Sequence, residues 1–351
     1  MLAHSTFNTN YDPDWYHQQA DKSGATLILD ECKRQHKDAL STLIANNDSA
    51  KQIADSITTQ RNLFLLGMGA SHFANEIAAA RFRALGIDAF AIPASEALYN
   101  PIPRIGNVIL TSQSGGSIEV IKWLEQNRDT NVIAGVTLNP NNPFGNVPTL
   151  VGAGGAEKAF AATRSFSLTI AAFSGVLKHM GASDDDLISS EEPTIDPNVE
   201  ALVSNFDAAN TFVFAGRAAL DGLAKLAALS AMELGQLPAL GYEAGQFRHG
   251  PIEFLSPSIG VVFFRAPGMS AHAWRDLAQI CDRAGAPTLI FDASGEEPLK
   301  HGLTVQFSSG NGMKAVYEMQ PTLQALLLGI AAKRVSAISV PRFCSKVTDT
   351  E

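Results

Sequence analysis

The run Thr111-Ser112-Gln113-Ser114-Gly115-Gly116-Ser117 crowds several hydroxyls and an amide between an apolar stretch, Asn107 to Leu110, and a helical one that starts near Ile118. A helix N-terminus offers unpaired N–H groups and the positive end of a dipole, and both attract anions. Ser112, Ser114 and Ser117 can add side-chain hydrogen bonds, so a phosphomonoester suits this cradle. The same residues also fit an ordinary serine N-cap followed by flexible glycines. A second candidate lies between Arg217 and Pro251. Leu220, Leu223, Leu226, Leu229 and Met232 mark a helix apolar on nearly every face, expected to be largely buried and ended by Pro238. Glu233 within it would be desolvated and raised toward the general acid–base range. His249 follows in Arg248-His249-Gly250-Pro251. A buried ion pair for Glu233 and a plain turn for His249 are the alternatives.

A third cluster, Glu157, Thr163, Arg164 and Ser165, precedes the helical stretch Phe166 to Leu177. Helix capping with a solvated charged face is the alternative there. Lys346 sits in the tail after Pro341, and tails are usually mobile. The histidines at 4, 17, 36, 72, 179, 272 and 301 show no metal-ligand spacing.

Parallel sheets must position these groups. From Asn62, short apolar runs starting near 62, 88, 107, 132 and 148 alternate with helix-length segments, which is the rhythm of βαβ units. The rhythm returns at 211, 260, 287 and 303, suggesting two similar α/β layers in tandem. Gly67-Met68-Gly69-Ala70-Ser71 and Ala215-Gly216-Arg217 supply tight strand-to-helix turns at the carboxyl edge, where open α/β sheets bind ligands. The third glycine of a dinucleotide fingerprint is missing. The expected organisation is a helical segment over 1–45, a first domain over 46–185, an acidic linker over 186–200, and a second domain over 201–351 that includes the tail.

A chain of 351 residues exceeds the size at which one core usually stops growing, and 46% apolar against 17% charged residues is ample for two cores. The net charge of -9, with no Lys/Arg-rich block, argues against nucleic acid or anionic membrane as partner. Cys32, Cys281 and Cys344 form no CxxC pair, so neither a disulfide framework nor a zinc knuckle is favoured. The polar N-terminus lacks an apolar signal region, and a cytoplasmic protein is expected.

On the serine run at 112 to 115, the stretch Gly155-Ala-Glu157…Thr163-Arg-Ser-Phe166, the Glu233…His249-Gly-Pro unit and the tail Pro341-Arg342…Lys346, the chain resembles the SIS (sugar isomerase) family. It is most similar to the double-SIS isomerase half of glutamine:fructose-6-phosphate aminotransferase and to stand-alone deaminases and deglycases. The resemblance runs from about residue 60 to the end. It implies two five-stranded parallel α/β/α sandwiches, a homodimer, and a hexose phosphate held by Ser112, Gln113, Ser114 and Ser117. By the same resemblance Glu233 moves a proton between C1 and C2. His249, supplied by the neighbouring subunit, opens the ring, and Lys346 lies over the sugar, where it can engage the carbonyl carbon. Gly69, Ser71, Glu157 and Thr163 are further candidates for substrate binding, and Ser95, Glu96 and Glu243 stand in loops that could set specificity.

Two departures matter. The chain opens Met1-Leu2-Ala3 with no cysteine nucleophile or glutaminase half, which argues against glutamine as the nitrogen source. Ser230 stands where the synthase has a lysine three residues before its glutamate, and Lys225 is out of register. The expected function is therefore an isomerising deaminase or deglycase acting on an amino- or amine-substituted hexose 6-phosphate, with no metal or redox cofactor. A simple aldose–ketose isomerase and a non-catalytic sugar-phosphate sensor are the alternatives.

Overall fold

The computed structural model describes residues 24–60, 62–103, 105–128, 130–141, 143–268 and 273–347. It divides into two compact units, one of residues 26–183 with 341–347 and the other of 184–340 with 24–25. Residues 1–23 of the expected N-terminal segment lie outside the described residues, as do His4, His17 and His272. The rest of that segment is helix α1 (Gly24–Ala45), and α2 (Asn47–Thr59) follows it.

The first unit is a five-stranded sheet in the order β2-β1-β3-β4-β5, parallel throughout. Its strands are β1 (Asn62–Gly67), β2 (Asp88–Pro93), β3 (Asn107–Thr111), β4 (Val132–Thr137) and β5 (Thr149–Val151). Central strands buried on both faces need near-continuous apolar runs, which Leu63 to Leu66 and Val108 to Leu110 provide. Alternation then divides those side chains between two layers. Phe64, Leu66, Val108 and Leu110 meet Ala97 and Leu98 of α4 (Ala94–Tyr99) and Val120 and Trp123 of α5 (Ile118–Gln126). On the other face lie α3 (Gly69–Ala84) and α6 (Arg164–His179), joined by an edge contact between Phe82 and Phe173.

The second unit repeats the wiring, with strands in the order β7-β6-β8-β9-β10. These are β6 (Thr211–Gly216), β7 (Ala239–Glu243), β8 (Ile259–Arg265), β9 (Thr288–Asp292) and β10 (Leu303–Gln306). Read from the β7 edge, the order is second, first, third, fourth, fifth, as in the first unit. One face packs Val213, Val261 and Phe263 against Phe247 of α9 (Ala244–Arg248) and Trp274, Leu277 and Cys281 of α10 (Trp274–Arg283). The other carries α8 (Ala219–Gly235) and α11 (Met313–Ala332). Among the described residues no helix is long and apolar enough to cross a membrane.

Four expectations change. The stretch Leu240 to Gln246, read as a loop, is the edge strand β7 followed by α9, because Ala-Leu-Gly-Tyr-Glu lacks the β-branched residues that announce a strand. Ala94 to Tyr99, also read as a loop, is the short helix α4. The acidic stretch after 183 is not a free linker. Asp186 and Ile188 are buried, Asp196 N–H donates to Thr322 of α11 at 3.0 Å, and α7 (Val199–Ser204) begins within it. Residues 341–347 belong to the first unit, not the second.

The N-terminal helix is tied to the first unit by a buried guanidinium. Arg164, at the start of α6, is fully buried; it donates to Glu31 at 2.5 Å and Asp38 at 3.3 Å on α1, and to the carbonyls of Ala153 at 2.8 Å and Gly155 at 2.7 Å. Arg34 adds a bond to Asp38 at 2.8 Å and one to the Gly154 carbonyl. Removing one partner of a buried ion network leaves uncompensated charge. Arg164→Ala should therefore lose about 3–5 kcal/mol of unfolding free energy in urea. A loss below about 1 kcal/mol would show that Glu31 and Asp38 rehydrate without it.

Candidate functional site

In a sheet ordered second, first, third, fourth, fifth, the direction in which strands are added reverses between the first and third strands, and open α/β sheets bind ligands beyond the carboxyl ends there. In the first unit that place is shared by the turn after β1 and the serine run after β3, since Gly67 pairs with Thr111. Ser112 is fully buried, and its hydroxyl is the spine of the loop. It accepts the N–H of Gly115 at 3.1 Å and, more weakly, that of Ser117 at 3.4 Å, and it lies 2.9 Å from Ser117 Oγ. An oxygen already accepting twice has only its proton left, so Ser112 donates to Ser117, whose own proton is free to turn outward. Ser112 thus shapes the cradle, and Ser117 is the better placed of the two to touch an anion.

Ser114 Oγ accepts the Gly116 N–H at 3.0 Å, while the Gln113 carbonyl accepts Leu138 N–H at 2.9 Å and anchors the loop to the end of β4. Gly115 has φ +73°, and a Cβ there would meet Pro143 at 2.5 Å. Both backbone conformation and space therefore require glycine. Ser117 is the N-cap of α5 but makes no capping bond with its side chain. The first amides of α5 have no partner within the helix, an arrangement that favours an anion.

The β1 turn packs closely beside it. A Cβ on Gly67 would approach the Thr111 carbonyl to 2.9 Å, and the Thr111 hydroxyl donates to Asn75 of α3 at 2.7 Å. Gly69 has φ +51° with open space where its Cβ would stand, so backbone is presented at the switch point. Ser71 is buried one turn into α3.

The third cluster converges on the first unit's loop. Glu157 is buried, and its carboxylate is saturated by protein. Oε1 accepts Thr163 N–H at 2.9 Å, Thr163 Oγ1 at 2.9 Å and Ser165 N–H at 3.1 Å. Oε2 accepts Ser165 Oγ at 2.5 Å and Lys346 Nζ at 2.9 Å. Lys346 also donates to the Phe160 carbonyl at 3.1 Å. Burial alone would raise the carboxyl's pKa; the Lys346 charge, hydrogen bonds from Ser165 and Lys346, and the Arg164 charge outweigh it and hold the value down to about 2. Nearby Cys32 is pushed up to about 12, by burial first and then by the Glu157 charge, so its thiol is inert. Arg164 is buried, unlike a solvated face, and Thr163, although the N-cap of α6, spends its hydroxyl on Glu157 rather than on the helix.

Ser165, singled out only as a member of this cluster, proves to be its link to the serine run: Ser165 Oγ lies 2.8 Å from the Gln113 side-chain amide. No sequence pattern announces that contact, because the two residues are 52 positions apart. Ser112, Gln113, Ser114, Ser117, Glu157, Thr163, Ser165 and Lys346 thus belong to one unit, and a hydrogen-bonded chain joins Lys346 to Gln113.

Glu233 and His249 lie in the second unit. The last turns of α8 are open on one side: Met232 is 45% exposed, and Leu229, Ser230 and Glu233 are partly exposed. Glu233 is therefore half-buried, not enclosed by apolar neighbours as the helix pattern suggested, because Ala231, Leu234 and Gly235 carry the packing at the end of α8 while Glu233 lies on its other side with Leu229 and Met232. α8 stops at Gly235 with Gln236 in a left-handed cap, just ahead of Pro238. Lys225 is ion-paired with Asp221 at 3.1 Å. His249 is exposed and follows α9, with Gly250 behind it at φ +119°.

Glu243 is occupied locally, capping α9 through Gln246 N–H at 2.9 Å and pairing with Arg217 at 3.2 Å. Glu96 accepts from Asn100 at 3.0 Å, and Ser95 lies beside it on α4. The second unit has no serine run after β8. Arg265 ends that strand, buried against Asp292 at 2.8 Å, the Glu297 carbonyl at 3.0 Å and Glu296.

No established family model matches the sequence. A glutamine–fructose-6-phosphate aminotransferase of Sulfurisphaera tokodaii is 25% identical over 273 residues, 71% of this chain and 45% of the relative. One from Gloeobacter violaceus is 28% identical over 332 residues, 85% of this chain and 53% of the relative. The chain therefore spans about half the length of these relatives. Among solved structures, the C-terminal domain of the Francisella tularensis aminotransferase has a TM-score of 0.73 at 18% identity, covering 87% of this chain and 95% of that one. Glucosamine-6-phosphate deaminase of Thermotoga maritima gives 0.64 at 20%, covering 88% and 99%. Tagatose-6-phosphate ketose/aldose isomerase of Escherichia coli gives 0.68 at 18%, covering 89% and 95%. Two parallel five-stranded sheets with identical wiring, and likeness to these proteins along most of the chain, show that this chain has the fold of two tandem SIS (sugar isomerase) domains.

Proposed function

We propose that this protein is an enzyme that holds the phosphate of an amino- or amine-substituted hexose 6-phosphate at Ser112–Ser117 and moves a proton between C1 and C2 of the sugar. The observation that carries this reading is the cradle itself, a hydrogen-bonded turn of serine hydroxyls and glycines at the start of α5. Anchoring a substrate by its phosphate lowers the entropic part of the barrier.

Glu233 is the proton carrier in this reading. A partly exposed carboxylate on a rigid helix can take the C2 proton and return it at C1, with charge passing through an enediol- or enolamine-like intermediate. His249, contributed by the neighbouring subunit of a homodimer, opens the ring or protonates the departing amine. Lys346 lies over the sugar. The deaminase of similar fold and the aminotransferase relatives favour a nitrogen-bearing substrate, and Ser230 in place of a lysine favours release of nitrogen over its incorporation. The isomerase of similar fold supports a second reading, the same proton shuttle without C–N cleavage.

Assays of ammonia or amino-acid release on glucosamine-6-phosphate and on fructosamine-6-phosphates separate the two. Glu233→Gln should lower kcat about 10²–10⁴-fold with KM little changed. A wild-type rate in that variant would remove the mechanism.

The cradle makes its own prediction for inorganic phosphate, read by calorimetry. A hydrogen bond to a charged group is worth about 1.5–3 kcal/mol, so Ser117→Ala should raise Kd roughly 10–100-fold, with a small drop in melting temperature because the buried Ser112 hydroxyl loses its acceptor. Ser112→Ala should lower the melting temperature further, because it removes the acceptor of two loop amides.

A further inference from the structure

The cluster around Glu157 has a property that substrate binding does not need. A carboxylate that bound the sugar would keep an acceptor site open toward it, whereas both oxygens of Glu157 are filled by Thr163, Ser165 and Lys346. Its partners come from separate parts of the first unit: the start of α6, the tail and, through Ser165, the serine run. Ser165 has one proton and two neighbours. Glu157 Oε2 at 2.5 Å and Gln113 Oε1 at 2.8 Å both stand as acceptors for it; with the proton on the shorter bond, the chain to Gln113 is completed by turning the amide so that Nε2–H donates to Ser165 Oγ. On the other side, the Lys346 ammonium has two fixed acceptors, Glu157 Oε2 and the Phe160 carbonyl, which set the direction in which its remaining donor points. Neighbouring Phe343 is 92% exposed, so the tail gains little from apolar packing at that residue.

We propose that Glu157 is a positioning residue and not a substrate ligand: one buried carboxylate docks the tail through Lys346 and, through Ser165, orients Gln113 in the anion cradle. The tail lysine and the phosphate loop are then set by the same charge. This deepens the functional reading above and rests on it for the role of the cradle, but the tail clamp can be tested with no substrate at all.

Three variants of the full chain, Glu157→Gln, Lys346→Met and Ser165→Ala, separate the two links. Hydrogen exchange of the amides over 342–347 reads the clamp, and calorimetry with inorganic phosphate reads the loop. Glu157→Gln should raise tail exchange at least tenfold and weaken phosphate about tenfold. Lys346→Met should reproduce only the first change, and Ser165→Ala only the second. During turnover, Lys346→Met should lower kcat at nearly constant KM, Glu157→Gln should lower kcat to a similar extent and also raise KM through the loosened cradle, and the double variant should have a kcat no lower than that of the slower single one. Wild-type tail exchange in Glu157→Gln, or independent multiplicative losses in the double variant, would overturn the proposal. If Glu157→Gln does not fold, Lys346→Met and Ser165→Ala still decide it, because unchanged tail exchange in the first or unchanged phosphate affinity in the second contradicts it. Wild-type protein that binds no phosphate would instead sink the cradle reading, with the exchange arm still judging the clamp.

Discussion

A carboxylate withdrawn from water must be met by donors or it will not stay ionised. Glu157 is such a group, and much of the first unit is arranged around it. Thr163 and Ser165 open helix α6 with hydroxyls and amides aimed at its oxygens, Arg164 between them turns the other way to hold α1, and Lys346 arrives from the far end of the sequence. The short run Thr-Arg-Ser thus performs two tasks on adjacent residues. The arginine fixes the scaffold, and the hydroxyl residues fix the carboxylate that is linked through Ser165 to the serine run.

The repeated wiring carries two different strand-end loops on one architecture. Both units place a strand-to-helix turn at the same reversal of strand order. In the first, a glycine-bearing serine loop leaves backbone amides and a hydroxyl proton facing the switch point. In the second, the third strand ends in Arg265, and its charge is consumed by Asp292 and Glu296 inside the fold. The sheet fixes where a ligand could bind, and a few residues after each strand decide whether one can.

Most strands and the serine run were legible because continuous apolar runs and a hydroxyl cluster at a helix start are local patterns. Strand β7 was not, since edge strands need not be apolar and Ala239 to Glu243 lack β-branched residues. The partial exposure of Glu233 was hidden for a related reason: α8 is apolar on nearly every side, so its sequence does not tell the face that packs, with Ala231 and Leu234, from the side left open, with Leu229, Met232 and Glu233. The tail's place in the first unit and the Ser165–Gln113 contact depend on residues far apart in sequence, which no periodicity records.

The central claim is a proton shuttle between two sugar carbons of a molecule held by its phosphate. Deuterium incorporation from D2O into glucosamine-6-phosphate and fructose-6-phosphate, followed by proton NMR, tests it directly whether or not nitrogen is released. The account predicts protein-dependent loss of the C1 or C2 proton signal in at least one of these sugars or its product. Full retention of both protons in sugars shown to saturate the protein would contradict it.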